Sequence, residues 1–205
     1  MIIPILCAGD QHRWERPEPK QLVDTFGEPL IIRTMRQLEE RGHIGIAITH
    51  RREIGRLVPW IKNPHHPKFD RGVNETAAYT KFLWKSPRVV ILLGDVCFPN
   101  DVLDRILSDK DELSVWGRQG NTEIFAVSFA YKIRKQVIKT ALKCVPGRVA
   151  QFYRVWCGFH FNTVQYESEI FKNLDYSWVT DFDTVDVYER FVNDNPGGFV
   201  RINEV

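Results

Sequence analysis

Short apolar, largely β-branched runs alternate along the chain with stretches whose apolar positions recur every three or four residues. The continuous runs Ile2–Leu6 (IIPIL), Ile44–Thr49 (IGIAIT) and Val89–Leu93 (VVILL) predict strands covered on both faces, as in parallel sheets. Between the first two, Ile31, Met35 and Leu38 keep helical spacing, which predicts a helix over Leu30–Arg41 with Gly42 as its C-terminal cap. A second helix is predicted from Asn74, as N-cap, to Lys85, and a third over Asp101–Leu107. Glu123–Phe129 reads as a strand, Lys132–Cys144 as a basic amphipathic helix, and the aromatic segment Arg154–Asn162 (RVWCGFHFN) as another strand. The segment WVTDFDTVDVYERFVNDN then reads as a strand end, an acidic turn and a closing helix. This alternation predicts an α/β sheet built from βαβ units, in one domain over residues 1–205. The proline- and histidine-bearing stretch Lys62–Phe69 is expected to be a surface loop.

Composition changes this picture little. Apolar residues at 43% and charged residues at 26% suit a globular domain, and a net charge of +2 without a polybasic tract points to neither nucleic acid nor membrane. Cys7, Cys97, Cys144 and Cys157 lie far apart, so reduced thiols packed in a core, in a cytoplasmic setting, are expected. The opening apolar run is too short for a signal peptide, and no stretch reaches the length of a membrane span.

Three segments carry candidate chemistry. The first strand breaks into CAGDQHRWERPEPKQL, where Ala8 and Gly9 are small enough for close backbone approach, and Arg13 and Lys20 add two cations. Cations in a polar loop are commonly just solvated. Their position after the first strand favours an anion site, because ligands of open α/β sheets lie at the carboxyl ends of strands. Pro19 stiffens the backbone presenting Lys20. In VVILLGDVCF, Asp95 directly follows a buried strand, placed either to ligate a divalent cation or to form a turn. In TDFDTVDVY, Asp181 and Asp183 share one face of an extended backbone; Thr184 suits a helix cap, and Asp186 suits that helix's first turn. Trp156, Phe159, His160 and Phe161 suit either an acceptor pocket or an aromatic core strand, with His160 a metal ligand or a structural histidine.

Together these segments resemble the nucleotidyltransferases of glycosyltransferase-A-like, Rossmann-like fold. That group includes the methylerythritol phosphate cytidylyltransferase, the molybdopterin guanylyltransferases and the sugar-phosphate nucleotidyltransferases. The matching positions are Ala8, Gly9, Arg13, Pro19 and Lys20, then Gly27, Pro29, Leu30, Ile31, Arg33 and Thr34 of GEPLIIRT. Gly94 and Asp95 match the family's G-D after a central strand, and Asp183, Thr184 and Asp186 match its closing acidic turn.

The resemblance implies a three-layer, mostly parallel mixed sheet flanked by helices, and transfer of a nucleotidyl group from an NTP to a small phosphorylated acceptor with release of pyrophosphate. It further implies Mg2+ or Mn2+ on Asp95 and Asp183, and a triphosphate on Gly9, Arg13 and Lys20. The base and ribose would lie near Ala8 and the segment Gly72–Thr76, where Asn74, Glu75 and Thr76 equally suit simple capping. A homodimer is compatible with it. Asp10, and the bulk of Trp14, Glu15 and Arg16, depart from the family's loop, and Gly117–Phe161 matches nothing in it. Two other readings stay open: a glycosyltransferase of the same fold using a nucleotide-sugar, and a silent nucleotide-binding protein.

Overall fold

The computed structural model describes residues 1–8, 13–63, 73–118, 123–144, 149–158, 168–174 and 179–195. In chain order its elements are β1 (Ile2–Leu6), α1 (Leu30–Glu39), β2 (Ile44–Thr49), α2 (Arg52–Gly55), β3 (Trp60–Lys62), α3 (Val73–Tyr79), β4 (Arg88–Leu93) and β5 (Val96–Cys97). There follow α4 (Asn100–Ser108), β6 (Leu113–Arg118), β7 (Glu123–Ala130), α5 (Arg134–Lys143), α6 (Val149–Cys157), β8 (Phe171–Asn173), β9 (Thr180–Asp181) and α7 (Val185–Asp194).

The apolar runs pair as expected. β1 lies between β2 and β4 in a seven-stranded sheet of order β3-β2-β1-β4-β7-β6-β8, in which β7 runs antiparallel to both neighbours and the remaining pairings are parallel. The carboxyl ends of β1, β4 and β6 therefore share one rim with the amino end of β7. One face buries Ile3, Ile5 and Leu92 against Ile31 and Leu38 of α1 and Val102 and Ile106 of α4. The other buries Ile91, Val115 and Phe129 against Ala78 of α3, Val137 of α5 and Phe152 of α6. At ~1.5–3 kcal/mol for each fully buried large side chain, the two layers hold the rim rigidly. All four cysteines are free thiols. Among the described residues, no helix is long and apolar enough to cross a membrane.

The predicted helix stop at Gly42 is present: it adopts φ 70°, its amide bonds the Glu39 carbonyl at 2.8 Å, and the His43 amide bonds the Leu38 carbonyl at 2.9 Å. Two expectations are corrected. Arg154–Cys157 belongs to helix α6 rather than to a strand. Val149, Phe152, Tyr153 and Trp156 recur at helical spacing, and that period overrides the β-preference of aromatic residues. Asn74 is a buried residue inside α3 rather than its cap, donating to the Cys144 carbonyl at 3.4 Å, and the helix tightens into a 3-10 turn over Thr80–Leu83.

Candidate active site

Gly94 starts the site. Its amide donates to the Leu6 carbonyl at 3.0 Å, carrying the β1–β4 ladder one residue past β4. A Cβ there would stand 2.3 Å from Cys7 Sγ and 3.1 Å from the Leu6 oxygen, so the close approach requires glycine. Asp95 follows on the rim, and its carbonyl accepts the Phe182 amide at 3.0 Å. β5 and β9 then form a two-stranded antiparallel ribbon, with Val96 opposite Asp181 and Cys97 opposite Thr180. The ribbon is what brings residues 181–183 beside Asp95. Thr184 ends it by capping α7, its hydroxyl accepting the Val187 amide at 3.3 Å, as its position in the sequence predicts.

The N-terminal loop closes over this ribbon. Trp14 is buried with Val23, Leu30, Cys97, Phe182 and Phe191, and its indole donates to the Glu18 carbonyl at 2.8 Å. Arg16 bonds Glu189 at 2.6 Å and lies 5.3 Å from the centre of the Tyr188 ring. The bulk that departs from the family's loop thus fastens this loop to α7. The Leu22 amide bonds the Pro19 carbonyl at 2.8 Å, a tight turn that presents Lys20.

Lys20 Nζ lies 2.5 Å from Asp95 Oδ2, 3.3 Å from Asp183 Oδ1 and 4.0 Å from Asp181 Oδ1, with its side chain only 7% exposed. Arg13, more exposed, pairs with Asp183 from the solvent side. Burial pulls the Lys20 pKa down, but the charges of Asp95, Asp181 and Asp183 outweigh it and leave the pKa raised. Burial and the neighbouring Asp95 push the Asp181 pKa up too, well above the usual carboxylate range. Lys20 opposes that rise, while Asp183 and Glu123 add to it.

Oxygens of Asp95, Asp181 and Asp183 all lie within 4.8 Å of one another. Asp181 Oδ1 is buried and accepts no hydrogen bond among the described residues. An all-carboxylate donor set with an orphaned oxygen fits a hard divalent cation such as Mg2+ or Mn2+.

Of the residues singled out in the sequence, Arg13, Lys20, Asp95 and Asp183 meet at this point. Ala8 is half-buried just past the end of β1. Asn74, Glu75 and Thr76 stand on α3, which packs against β1, α5 and α6; Thr76 accepts a hydrogen bond from Asn63 at 3.4 Å. Gly9, Asp10, Gly72, Phe159, His160 and Phe161 lie outside the described residues. Trp156 packs against Phe152 on α6, ring centres 5.8 Å apart. Asp181, whose role the sequence leaves open, is the third acidic member, and its alternation with Asp183 is the signal that pointed to it. Glu123 gave no such signal.

No family model and no curated protein sequence matches the chain. Solved structures do. A protein from Bacillus anthracis described as a glucose-1-phosphate thymidylyltransferase superposes with a TM-score of 0.66 at 13% identity, covering 100% of this chain and 98% of that one. The inositol-1-phosphate CTP transferase of T. maritima gives 0.59 at 14% identity, over 97% of this chain and 98% of that one. The CTP:phosphocholine cytidylyltransferase of Streptococcus pneumoniae gives 0.61 at 14% identity, over 94% and 98%. The mostly parallel, helix-flanked sheet of this chain is the fold of these nucleotidyltransferases.

Proposed function

We infer that the protein is a Mg2+- or Mn2+-dependent nucleotidyltransferase that moves an NMP group from an NTP to a small phosphorylated acceptor and releases pyrophosphate. One observation carries this reading: Lys20 and Arg13, from the loop after β1, converge on carboxylates from two remote segments at the carboxyl-end rim. The shared fold, in proteins named for this chemistry, supports it.

An oxygen of the acceptor phosphate attacks the α-phosphorus, the bond from that phosphorus to the bridging oxygen of the β-phosphate breaks, and pyrophosphate departs with the bonding pair. A phosphate monoester is already largely ionised near neutral pH, so no general base is required. Asp95 and Asp183, joined by Asp181, would hold the divalent ion, which when bound neutralises charge along the polyphosphate. Lys20, its pKa raised by the surrounding carboxylates, supplies a compact ammonium at the centre of the site, and Arg13 a fork able to grip phosphate oxygens from the solvent side. Catalysis is then positioning plus electrostatic stabilisation of the leaving group. Ala8, just past β1, and Gly9 are small enough in the sequence to leave a nucleotide room, and the resemblance assigns Asn74, Glu75 and Thr76 to the base and ribose.

The test is a pyrophosphate-release screen of the four NTPs, with Mg2+ or Mn2+, against sugar phosphates and polyol phosphates. Turnover that disappears in Lys20→Ala and Asp95→Ala supports the assignment. Full activity in either variant, or sugar transfer from a nucleotide-sugar without pyrophosphate release, defeats it.

A further inference from the structure

The same rim carries another cation, outside the Lys20–carboxylate cluster. Arg118 is the last residue of β6, and in the antiparallel register it lies opposite Glu123, the first residue of β7. A bulge between Trp116 and Gly117 shifts that register. A Cβ on residue 117 would meet the Glu123 carbonyl oxygen at 2.1 Å, so glycine lets the strands close and the bulge re-aims the residue that follows. The Arg118 guanidinium donates through Nη2 to the Val179 carbonyl and rests 5.8 Å from the centre of the Phe125 ring. Its Nη1 stands 3.6 Å from Glu123 Oε2, an ion pair too long for a hydrogen bond, and the side chain is 30% exposed.

Val179 immediately precedes β9, the strand that carries Asp181. Glu123 is close enough to Asp181 for its charge to act on that carboxyl. The rim therefore runs from Arg13 and Lys20, paired with Asp183 and Asp95, across β9 to Arg118, which holds Val179 and faces Glu123. Attacking and leaving oxygens in phosphoryl chemistry stand roughly in line on opposite sides of phosphorus. With Arg13 and Lys20 on the polyphosphate, the phosphate that attacks in line is to be held on the side away from Arg13.

We propose that Arg118 is the anchor for the acceptor's phosphate, a phosphomonoester dianion gripped by the guanidinium nitrogens not bonded to Val179, in place of the long pair with Glu123. This rests on the nucleotidyltransferase reading. Fixed by a carbonyl on one side and a ring beneath, the fork is preorganised, so little side-chain freedom is lost when the dianion binds.

Inorganic phosphate is the probe. Its affinity is measured by calorimetry on protein loaded with Mg2+ and, in turn, a non-hydrolysable analogue of each NTP. Wild type is expected to bind phosphate, and Arg118→Met, which keeps an unbranched apolar stem without the charge, to bind it at least ~10-fold more weakly. Its affinity for the nucleotide analogue is expected to stay unchanged. Arg118→Lys, with charge but no fork, is expected to fall between, and it decides the matter if the methionine variant does not fold. Equal phosphate affinity in wild type and variants overturns the proposal, as does wild type that binds an analogue but no phosphate. Loss of analogue binding in both variants makes Arg118 a strut for β9 and also overturns it. Wild type that binds no analogue at all removes the nucleotidyltransferase reading, and this proposal with it.

Discussion

Replacing Asp181 with asparagine should stabilise the metal-free protein while weakening its hold on metal. Asp181 lies within 4.8 Å of both Asp95 and Asp183 and 4.0 Å from Lys20 Nζ, with a side chain 15% exposed. At an effective dielectric constant of about 20, two like charges at that separation repel by ~3.5 kcal/mol per pair, and the lysine returns ~4 kcal/mol. Ionised Asp181 is thus opposed by roughly 3 kcal/mol before burial is counted, and partial exposure reduces this to about 1–3 kcal/mol. Asparagine keeps the shape and the β9 pairing and removes the charge.

The sign with pH follows from the raised pKa of Asp181. Between the unfolded value near ~4 and the folded one, the native state holds the extra proton, so wild type loses stability as pH rises through that window. The advantage of Asp181→Asn should therefore grow as pH rises above ~4 and level off once the folded value is passed. Thermal unfolding in EDTA reads this as a Tm gain of several degrees, at ~2–4 °C per kcal/mol for a chain of this size. Mn2+ titrated by electron paramagnetic resonance should bind the variant more weakly. A variant less stable than wild type in EDTA at about pH 8, or an advantage that shrinks with pH, would refute the reasoning.

Lys20→Met should lower turnover at least ~100-fold and cost about 1–3 kcal/mol of stability, since three carboxylates lose their shared cation. Because the folded Lys20 pKa is raised, its contribution is fully present below the unfolded value near ~10.4 and fades as pH climbs through the folded one. Urea titrations should show the gap from wild type closing in alkali, and a gap that widens there argues against the ion cluster. Gly94→Ala should cost about 1–3 kcal/mol through the clash with Cys7 Sγ and the Leu6 carbonyl, and an unchanged urea midpoint would contradict it. Burial pushes the Cys97 thiol up to about 12 against the opposing Arg33, and burial with Asp95 raises Cys7 as well. Native protein at about pH 8 should therefore react with Ellman's reagent at half-exposed Cys157 first, and rapid labelling of Cys97 would be inconsistent with this core.

Much of the frame was legible because both-face burial writes itself as unbroken apolar runs. β1 and β2 fall on the predicted residues, and β4 begins one residue earlier. β3 and β8 are three residues each with mixed burial, too short for a period to declare itself. Helix α6 was hidden because Phe152, Tyr153 and Trp156 favour strands locally, and packing against α5 and β7 decides for the helical spacing they also keep. In the site, Asp95 and Asp183 were readable from position next to strand ends, and Lys20 from the loop that follows the first strand. Glu123 and Arg118 were not, since their closeness to Asp181 depends on a bulge and on register, neither of which any short stretch encodes.

Asp183 pairs with groups 163 and 170 positions earlier, Lys20 and Arg13. Closing a loop that long is entropically unfavourable and comes late in folding. On the ribosome, a growing chain could complete the parallel strands β1, β2 and β4 while Asp95 and Lys20 still lacked their distal counterparts. On the proposed function, polyphosphate capture would thus begin only after α7 has docked, making that helix the timekeeper of competence during synthesis.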